Sequence, residues 1–271
     1  MRWLCLAGIV GVFGCGGTTP PPLDPTPLRV EDSLVTAGVV QLAFHVVPGA
    51  EPALLLEAGG GADSSSWGAL PDALAAATGR RVISYDRAGF GKSPFPKHAF
   101  TIADEVIALH AGVHRVGATK IVPVAASYGA LIDVAYAKAY PDDVAGFVFL
   151  DPMNVDFVEA VGLPAILATV PMPESPTTDK ERAIARMVTS FPALVGDLHG
   201  VRWPANLPVV IVSAATPPFP DAALQAAWRA SHEALAKTPG ASRVIAKASD
   251  HDIAQSEPAV VIAAAQKVLG R

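Results

Sequence analysis

The chain has almost no cysteine and little charge, and both scarcities exclude classes of protein. Of its 271 residues only Cys5 and Cys15 are cysteines, so the chain beyond position 15 contains no thiol and cannot form a disulfide. Charged residues make up 17% and the net charge is -5, which argues against nucleic acid as a partner because phosphate binding requires a basic surface. No Cys/His cluster stands out in the sequence, so we predict neither a metal site nor a cofactor.

The N-terminal apolar run is too short to span a bilayer. It extends from Trp3 to Phe13 and follows the positive charge of Arg2, which is typical of a secretory signal peptide. The segment "VFGC" resembles the lipobox of bacterial lipoproteins, and this resemblance implies that Cys15 is lipidated. We therefore predict a signal peptide over 1–14 and a proline-rich tether over 15–28, which would export the protein to the bacterial cell envelope. A plain secretory signal is the alternative.

The remainder of the chain alternates short apolar runs with helical patterns. Hydrophobic residues make up 51% of the sequence, enough for a large core. Short apolar runs that end in Gly, Ser or Asp are typical of strands buried on both faces of a parallel sheet. We predict an α/β fold with a mostly parallel central sheet and helices on both faces. The predicted strands are "VVQLAFHVV", which would open the sheet in an antiparallel pair with the segment before it, then "ALLLE", "RVISYD", "KIVPVAA", "GFVFLD", "PVVIVSA" and "RVIAKAS".

One interval, at about 152–207, breaks this alternation. It contains several prolines and apolar segments such as "FVEAVGLPAILATV", but no run that is typical of a strand. Long connections in compact domains are usually functional. We interpret the interval as a lid insertion made of short helical pieces.

The stretch "VAASYGA" places Ser127 between a predicted strand and a predicted helix. A nucleophile elbow requires this strand–turn–helix context, and it requires small residues two positions before and after the serine. Ala125 and Gly129 meet that requirement. Taken alone, the motif is equally compatible with an inert serine at the end of a strand.

Two further features favour catalysis. The glycine-rich turn after "ALLLE" predicts an oxyanion hole formed by the backbone N–H groups of Gly60 and Tyr128. Among the seven histidines, His251 stands directly after the last predicted strand and before the final helix, where a general base could meet Ser127.

In their order along the chain, "LLLEAGGGADSSSW", "YDRAGFGKS", "VAASYGA", "GFVFLDP" and "SDHDIAQSEP" resemble the α/β-hydrolase superfamily, and within it the serine esterases. The resemblance covers nearly all of a predicted domain at 29–271. It implies that Ser127 is the nucleophile and His251 the base of a catalytic triad. The chain departs from the family pattern at Ala58 and Ala125, where small residues replace the usual histidine and glycine.

The acid of the triad has more than one candidate. In most members it follows the strand after the lid, but that turn reads Ser213-Ala214-Ala215-Thr216 and contains no carboxylate. Other members carry it after the strand that follows the nucleophile helix, where this chain has Asp151. We predict Asp151 as the acid, with Asp221 as the alternative.

These features predict a hydrolase that cleaves a carboxylic ester or a related acyl bond through an acyl-enzyme, in a substrate with a small or medium hydrophobic acyl or alcohol group. The alternatives are peptide or amide cleavage or perhydrolysis by the same triad, and a surface-tethered binding protein without turnover. No cofactor is expected, and the membrane is expected as a partner only through the lipid on Cys15.

Overall fold

A computed structural model describes residues 32–203 and 205–270. The predicted signal peptide, the lipidation of Cys15 and most of the N-terminal region lie outside the described residues. Within the described part of the chain, no helix is both long and apolar enough to cross a membrane.

Eight strands form a single sheet in the order β1-β2-β4-β3-β5-β6-β7-β8. The antiparallel opening pair predicted from the sequence is present as β1 and β2, and β2 also runs antiparallel to β4. The other neighbouring strands pair in parallel. The strands are β1 (Asp32–Ala37), β2 (Val40–Val47), β3 (Ala50–Glu57), β4 (Arg80–Asp86), β5 (Ile121–Ala126), β6 (Phe147–Leu150), β7 (Val209–Ala214) and β8 (Ala241–Ala246).

Helices connect the parallel strands, and their ends follow signals visible in the sequence. Thr101 caps its helix in a capping box with Asp104, and Gly79 ends another helix in the left-handed conformation. The helices are α1 (Leu70–Thr78), α2 (Ile102–Arg115), α3 (Gly129–Ala139), α4 (Val155–Val161), α5 (Leu163–Leu167), α6 (Asp179–Leu198), α7 (Ala222–Leu235), α8 (Ile253–Ser256) and α9 (Pro258–Val268).

Helices cover both faces of the sheet, and successive side chains of a strand point to opposite faces. In β3, Leu55 belongs to the core beneath α2 and α3, whereas Leu54 and Leu56 belong to the core beneath α1 and α9. This explains the continuous apolar runs of the central strands. The predicted fold class, a mostly parallel sheet with helices on both faces, is confirmed.

The interval predicted as a lid contains α4, α5 and α6. The prediction of short pieces only was wrong for α6, which has 20 residues and contains Pro192. A proline removes one backbone donor and usually ends a helix. Here the helix continues because buried side chains at helical spacing hold it on both sides of the proline, among them Phe191, Leu194 and Leu198.

Candidate active site

The residues predicted to carry chemistry lie along the carboxyl edge of the parallel strands. Ser127 follows β5, Asp151 follows β6 and His251 lies beyond β8. The turn with Gly60 follows β3, which is the neighbour of β5. Parallel strands end at the same edge, so residues far apart in the sequence meet there.

Ser127 occupies a strained turn between β5 and α3. Its φ of 50° lies in the left-handed region, which costs free energy for a residue with a side chain. The Ser127 N–H donates to Leu150 O at 3.0 Å and holds the turn against β6. Ala125 is completely buried, and a Cβ at Gly129 would lie 2.7 Å from Glu57 O. Small residues are therefore required on both sides of the serine, and alanine satisfies the first position.

Asp151 is the other described non-glycine residue with a positive φ, at 42°. The Asp151 N–H donates to Val212 O at 2.7 Å, which fixes the end of β6 against β7. Its side chain is fully buried. Two neighbouring strand ends therefore carry the same backbone strain, and each presents a side chain with the chemistry of a triad.

The carboxylate of Asp151 holds the imidazole of His251. Asp151 Oδ2 accepts from His251 Nδ1 at 2.7 Å, and Asp151 Oδ1 accepts from Ala214 N–H at 3.0 Å. Burial raises the pKa of Asp151, but the hydrogen bond from His251, the proximity of the His232 and His251 rings and the Ala214 N–H outweigh it, so the pKa is lowered. An ionised Asp151 keeps the proton of His251 on Nδ1, which leaves Nε2 as a base.

The alternative acid, Asp221, lies elsewhere. It is exposed at the start of α7, and its carboxylate accepts from Leu224 N–H at 2.9 Å as a helix cap. The structure therefore brings Asp151, and not Asp221, into contact with His251.

Ser127 and His251 lie at the same edge without a direct hydrogen bond. Ser127 Oγ bonds to no other side chain in the part of the chain that the structure describes. Two backbone bonds tie Ser127 to the residues around Asp151, from Ser127 N to Leu150 O and from Met153 N to Ser127 O, both at 3.0 Å. Catalytic hydrogen bonds to a nucleophile commonly shorten only when substrate binds.

The two predicted oxyanion donors lie side by side. A Cβ built at Gly60 would be 3.4 Å from Tyr128 Cβ. Neither N–H donates to an acceptor within the described ranges. Tyr128 is the residue directly before α3, at the helix N-terminus, where the helix dipole favours negative charge. The arrangement can stabilise a negative oxygen next to Ser127.

A sequence model of the α/β hydrolase fold matches residues 52–198, more than half of the chain. The chain belongs to the α/β-hydrolase family. A comparison of its sequence with the curated proteins finds no relative.

Solved structures of hydrolases share the fold of this α/β hydrolase. A thermophilic esterase from Thermogutta terrifontis is 21% identical, with a TM-score of 0.65 over 89% of this chain and 98% of the other. E-2-(acetamidomethylene)succinate hydrolase is 19% identical, with a TM-score of 0.65 over 89% and 99%. A mutant epoxide hydrolase from Vigna radiata is 18% identical, with a TM-score of 0.66 over 89% and 98%. The TM-scores establish a common fold, and the names of the three proteins refer to different substrates.

A cavity of about 260 Å³ opens at Ser127. Ser127, Gly60 and Tyr128 form its polar end. The rest of the lining is mostly apolar and comes largely from the insertion. These lining residues include Met153, Ile166, Leu167, Val170, Met187 and Phe191.

Sequence reasoning missed the side chain that supports the glycine turn after β3. The guanidinium of Arg87 is buried and donates to Glu57 Oε1, Ala58 O and Gly59 O, each at 2.5 Å. Burial raises the pKa of Glu57 to about 7, against the opposing effects of Arg87 and a hydrogen bond from Tyr85. Arg87 lies in "YDRAGFGKS", which the sequence identified only as a family motif, so its contact with the glycine turn required the structure.

Sequence reasoning also missed His232, which lies in α7. It is fully buried, and its Nε2 donates to Pro152 O at 2.9 Å. Its Nδ1 accepts from Ser213 Oγ at 3.0 Å and lies 3.7 Å from Asp151 Oδ1. Burial lowers the pKa of His232, so a neutral ring supports the backbone around the acid. His232 contacts Pro152 and Ser213 because β6 and β7 are neighbours in the sheet, and no local sequence pattern predicts these contacts.

Sequence reasoning also missed a group of side chains that could hold a metal ion. The structure brings His110, His114 and Asp143 together, with one possible ligand atom from each within 4.8 Å of the others. This cluster is remote from Ser127. The third residue lies 29 positions beyond His114, so spacing alone did not reveal it.

Proposed function

We propose that this hydrolase cleaves carboxylic esters through Ser127, His251 and Asp151, by way of an acyl-enzyme. The observation that carries the proposal is the 2.7 Å contact between His251 Nδ1 and the buried carboxylate of Asp151, at the edge where Ser127 occupies an elbow. A buried carboxylate that orients a histidine near a strained serine is the arrangement that acyl transfer requires.

The reaction follows from these positions. Ser127 Oγ attacks the acyl carbon while His251 Nε2 takes its proton. The carbonyl oxygen becomes negative and accepts from the N–H groups of Gly60 and Tyr128. His251 then gives the proton to the leaving alcohol as the C–O bond breaks. Water, deprotonated by the same nitrogen, then attacks the acyl carbon. The bond to Ser127 Oγ breaks, the carboxylic acid leaves, and His251 Nε2 returns the proton to Oγ.

The cavity supports a small or medium apolar acyl group. Its volume of about 260 Å³ lies below the usual range of about 300–1,000 Å³ for ligand pockets. Because its walls are mostly apolar, they favour a hydrocarbon chain over a charged group. The insertion would then act as the lid predicted from the sequence.

Labelling with a fluorophosphonate probe tests the nucleophile. The wild-type chain should react covalently and hydrolyse p-nitrophenyl butyrate, and Ser127→Ala should do neither. Ser65→Ala is the matched control because it changes an exposed serine beyond the glycine turn. A wild-type chain that neither reacts with the probe nor hydrolyses any ester would favour the binding-protein alternative.

A series of esters of increasing chain length tests the cavity. Met187 lines it, so Met187→Ala should move the optimum towards longer chains. Each methylene newly buried is worth about 0.8 kcal/mol, or about fourfold in kcat/KM. Leu194→Ala is the control because Leu194 is buried in the same helix but does not line the cavity. An unchanged optimum in Met187→Ala would refute the assignment of this cavity to the acyl chain.

We also propose that Cys15 anchors the protein to the membrane of the bacterial cell envelope. The proposal rests on the "VFGC" sequence alone. Cys15→Ser should move the protein from the membrane fraction to the soluble fraction. A Cys15→Ser protein that stays in the membrane would refute lipidation as the anchor.

A further inference from the structure

A histidine pair and a carboxylate meet at the amino edge of the sheet, opposite the catalytic edge. His110 and His114 lie one turn apart on α2, just before the chain enters β5. Asp143 ends the one-turn helix Pro141–Asp143, which precedes β6. The full length of β5 and β6 separates this cluster from Ser127 and Asp151, so it plays no part in the triad.

The nitrogen and oxygen atoms converge at short distances. His110 Nδ1 lies 2.9 Å from Asp143 Oδ2, and His114 Nε2 lies 3.3 Å from the same oxygen. Ligand atoms around a tetrahedral zinc ion, at about 2.0–2.1 Å from the metal, are about 3.3 Å apart. The two distances to Asp143 Oδ2 are therefore close to those of a loaded site, and one possible ligand atom from each of the three residues lies within 4.8 Å of the others.

We propose that His110, His114 and Asp143 bind one zinc ion, with water as the fourth ligand. Two imidazole nitrogens and one carboxylate oxygen form a donor set that zinc accepts. The side chains are 18%, 27% and 16% exposed, so an ion and a water molecule can reach the open side of the cluster.

Neighbouring tyrosines hold the ligands in place. The ring of Tyr140 stacks on His110 with the centroids 3.7 Å apart and the planes at 4°. Tyr136 donates its hydroxyl hydrogen to Asp143 Oδ2 at 2.8 Å. Partners that fix the orientation of the ligands are a regular feature of metal sites.

A purely hydrogen-bonded cluster accounts less well for this convergence. Without a cation, Asp143 Oδ2 lies within hydrogen-bond distance of the Tyr136 hydroxyl, His110 Nδ1 and His114 Nε2 at once, and the Tyr136 oxygen is also 3.2 Å from His110 Nδ1. A carboxylate oxygen has two lone pairs, so three donors crowd it. A zinc ion would turn both imidazole lone pairs towards the metal and leave Tyr136 as the donor to the carboxylate.

The site would join α2 to the turn before β6, which are connected through β5 and α3. A metal that binds only the folded chain stabilises it by mass action. We therefore expect zinc to raise the melting temperature of the chelator-treated full chain. Ester hydrolysis in metal-free buffer should be the same in the wild type and in His114→Gln, because the cluster is remote from the triad.

Cobalt(II) titration of the chelator-treated full chain tests the proposal directly. Tetrahedral cobalt should give visible absorption that saturates at one ion per chain and disappears when zinc is added. In His110→Gln, His114→Gln and Asp143→Asn the affinity should fall at least about 10-fold, because changes to outer partners alone already cost 10- to 100-fold. Circular dichroism establishes that each variant is folded, and the three separate variants guard against the failure of one.

The controls distinguish this cluster from other sites. His251→Gln removes the catalytic imidazole, His199→Gln removes an exposed histidine paired with Glu159, and Cys15→Ser removes an N-terminal thiol. All three should bind cobalt as the wild type does. The proposal is overturned if the wild type gives no tetrahedral signal at micromolar cobalt. It is also overturned if binding survives in the cluster variants or is lost in a control.

Discussion

Replacing Asp151 by asparagine tests the proposed triad most sharply, because the change preserves shape and removes one charge. The carboxylate accepts on both sides, from His251 Nδ1 at 2.7 Å and from Ala214 N–H at 3.0 Å. An amide has one accepting oxygen and one donating nitrogen. In Asp151→Asn one of the two N–H groups must therefore face a donor.

The structure sets the size of the effect. If the amide oxygen stays with His251, the buried Ala214 N–H loses its partner at a cost of about 1–3 kcal/mol. If the amide turns, His251 must carry its proton on Nε2 and cannot act as a base. The cost of the unpaired Ala214 N–H alone reduces the population of the tautomer with its proton on Nδ1, which can act as a base, roughly 5- to 160-fold. Loss of the negative charge beside the imidazolium adds to this, and we expect kcat to fall about 10³- to 10⁴-fold.

Steady-state hydrolysis of p-nitrophenyl butyrate measures this loss, and the rate of fluorophosphonate labelling should fall in parallel. Asp221→Asn is the matched control. Asparagine caps helices as well as aspartate does, so both the stability and kcat of this variant should stay within about twofold of the wild type. The reasoning fails if Asp151→Asn keeps more than a tenth of the activity, or if Asp221→Asn loses more activity than Asp151→Asn.

Three other predictions follow from the same geometry. Gly129→Ala forces a Cβ to 2.7 Å from Glu57 O and should lower the free energy of unfolding by about 1–3 kcal/mol. Gly196→Ala has open space around it and should stabilise α6. Chemical denaturation measures both variants, and equal effects would contradict the close approach at Gly129. Arg87→Lys keeps the positive charge but cannot reach Glu57, Ala58 O and Gly59 O together. The loss of hydrogen bonds to buried acceptors should cost about 1–3 kcal/mol and lower the melting temperature by roughly 2–12 °C, and a shift below about 1 °C would show that these contacts are dispensable. The pKa of Asp151 is lowered in the folded state, so the unfolded chain binds a proton at this carboxylate more tightly than the folded chain does. The stabilisation that the ionised carboxylate provides should therefore be complete above about pH 4 and be lost as the pH falls through the folded pKa. Denaturation measured between pH 2 and 5 should show this acid-dependent loss in the wild type and not in Asp151→Asn.

The sequence predicted the sheet because its signals are local. Runs such as "ALLLE" are continuous and apolar since β3 is buried on both faces, and the capping box at Thr101 marks the start of α2 without tertiary information. Pro192 misled the prediction of α6. Its local signal for a break is real, but the packing of the surrounding apolar side chains outweighs it.

In the candidate site as well, local sequence predicted some residues, and others required the tertiary structure. Ser127 and Asp151 were predictable because each directly follows a strand, and strand ends carry the chemistry of parallel sheets. The contacts of Arg87 and His232 depend on which strands are neighbours and how they are registered. The cluster at His110 and His114 had one local sign, the four-residue spacing on a helix, but lacked its carboxylate until Asp143 came close in space.

The order of the strands makes His251 the least firmly held member of the proposed triad. Ser127 and Asp151 stand on the adjacent inner strands β5 and β6, and backbone hydrogen bonds join their turns. His251 instead lies in a loop beyond β8, which is the edge strand of the sheet. Ile245 in this strand is half exposed. Local opening begins at such edges. On slow heating, catalysis should therefore fade at temperatures where the core still gives its full near-ultraviolet dichroism, and cooling from that range should restore it.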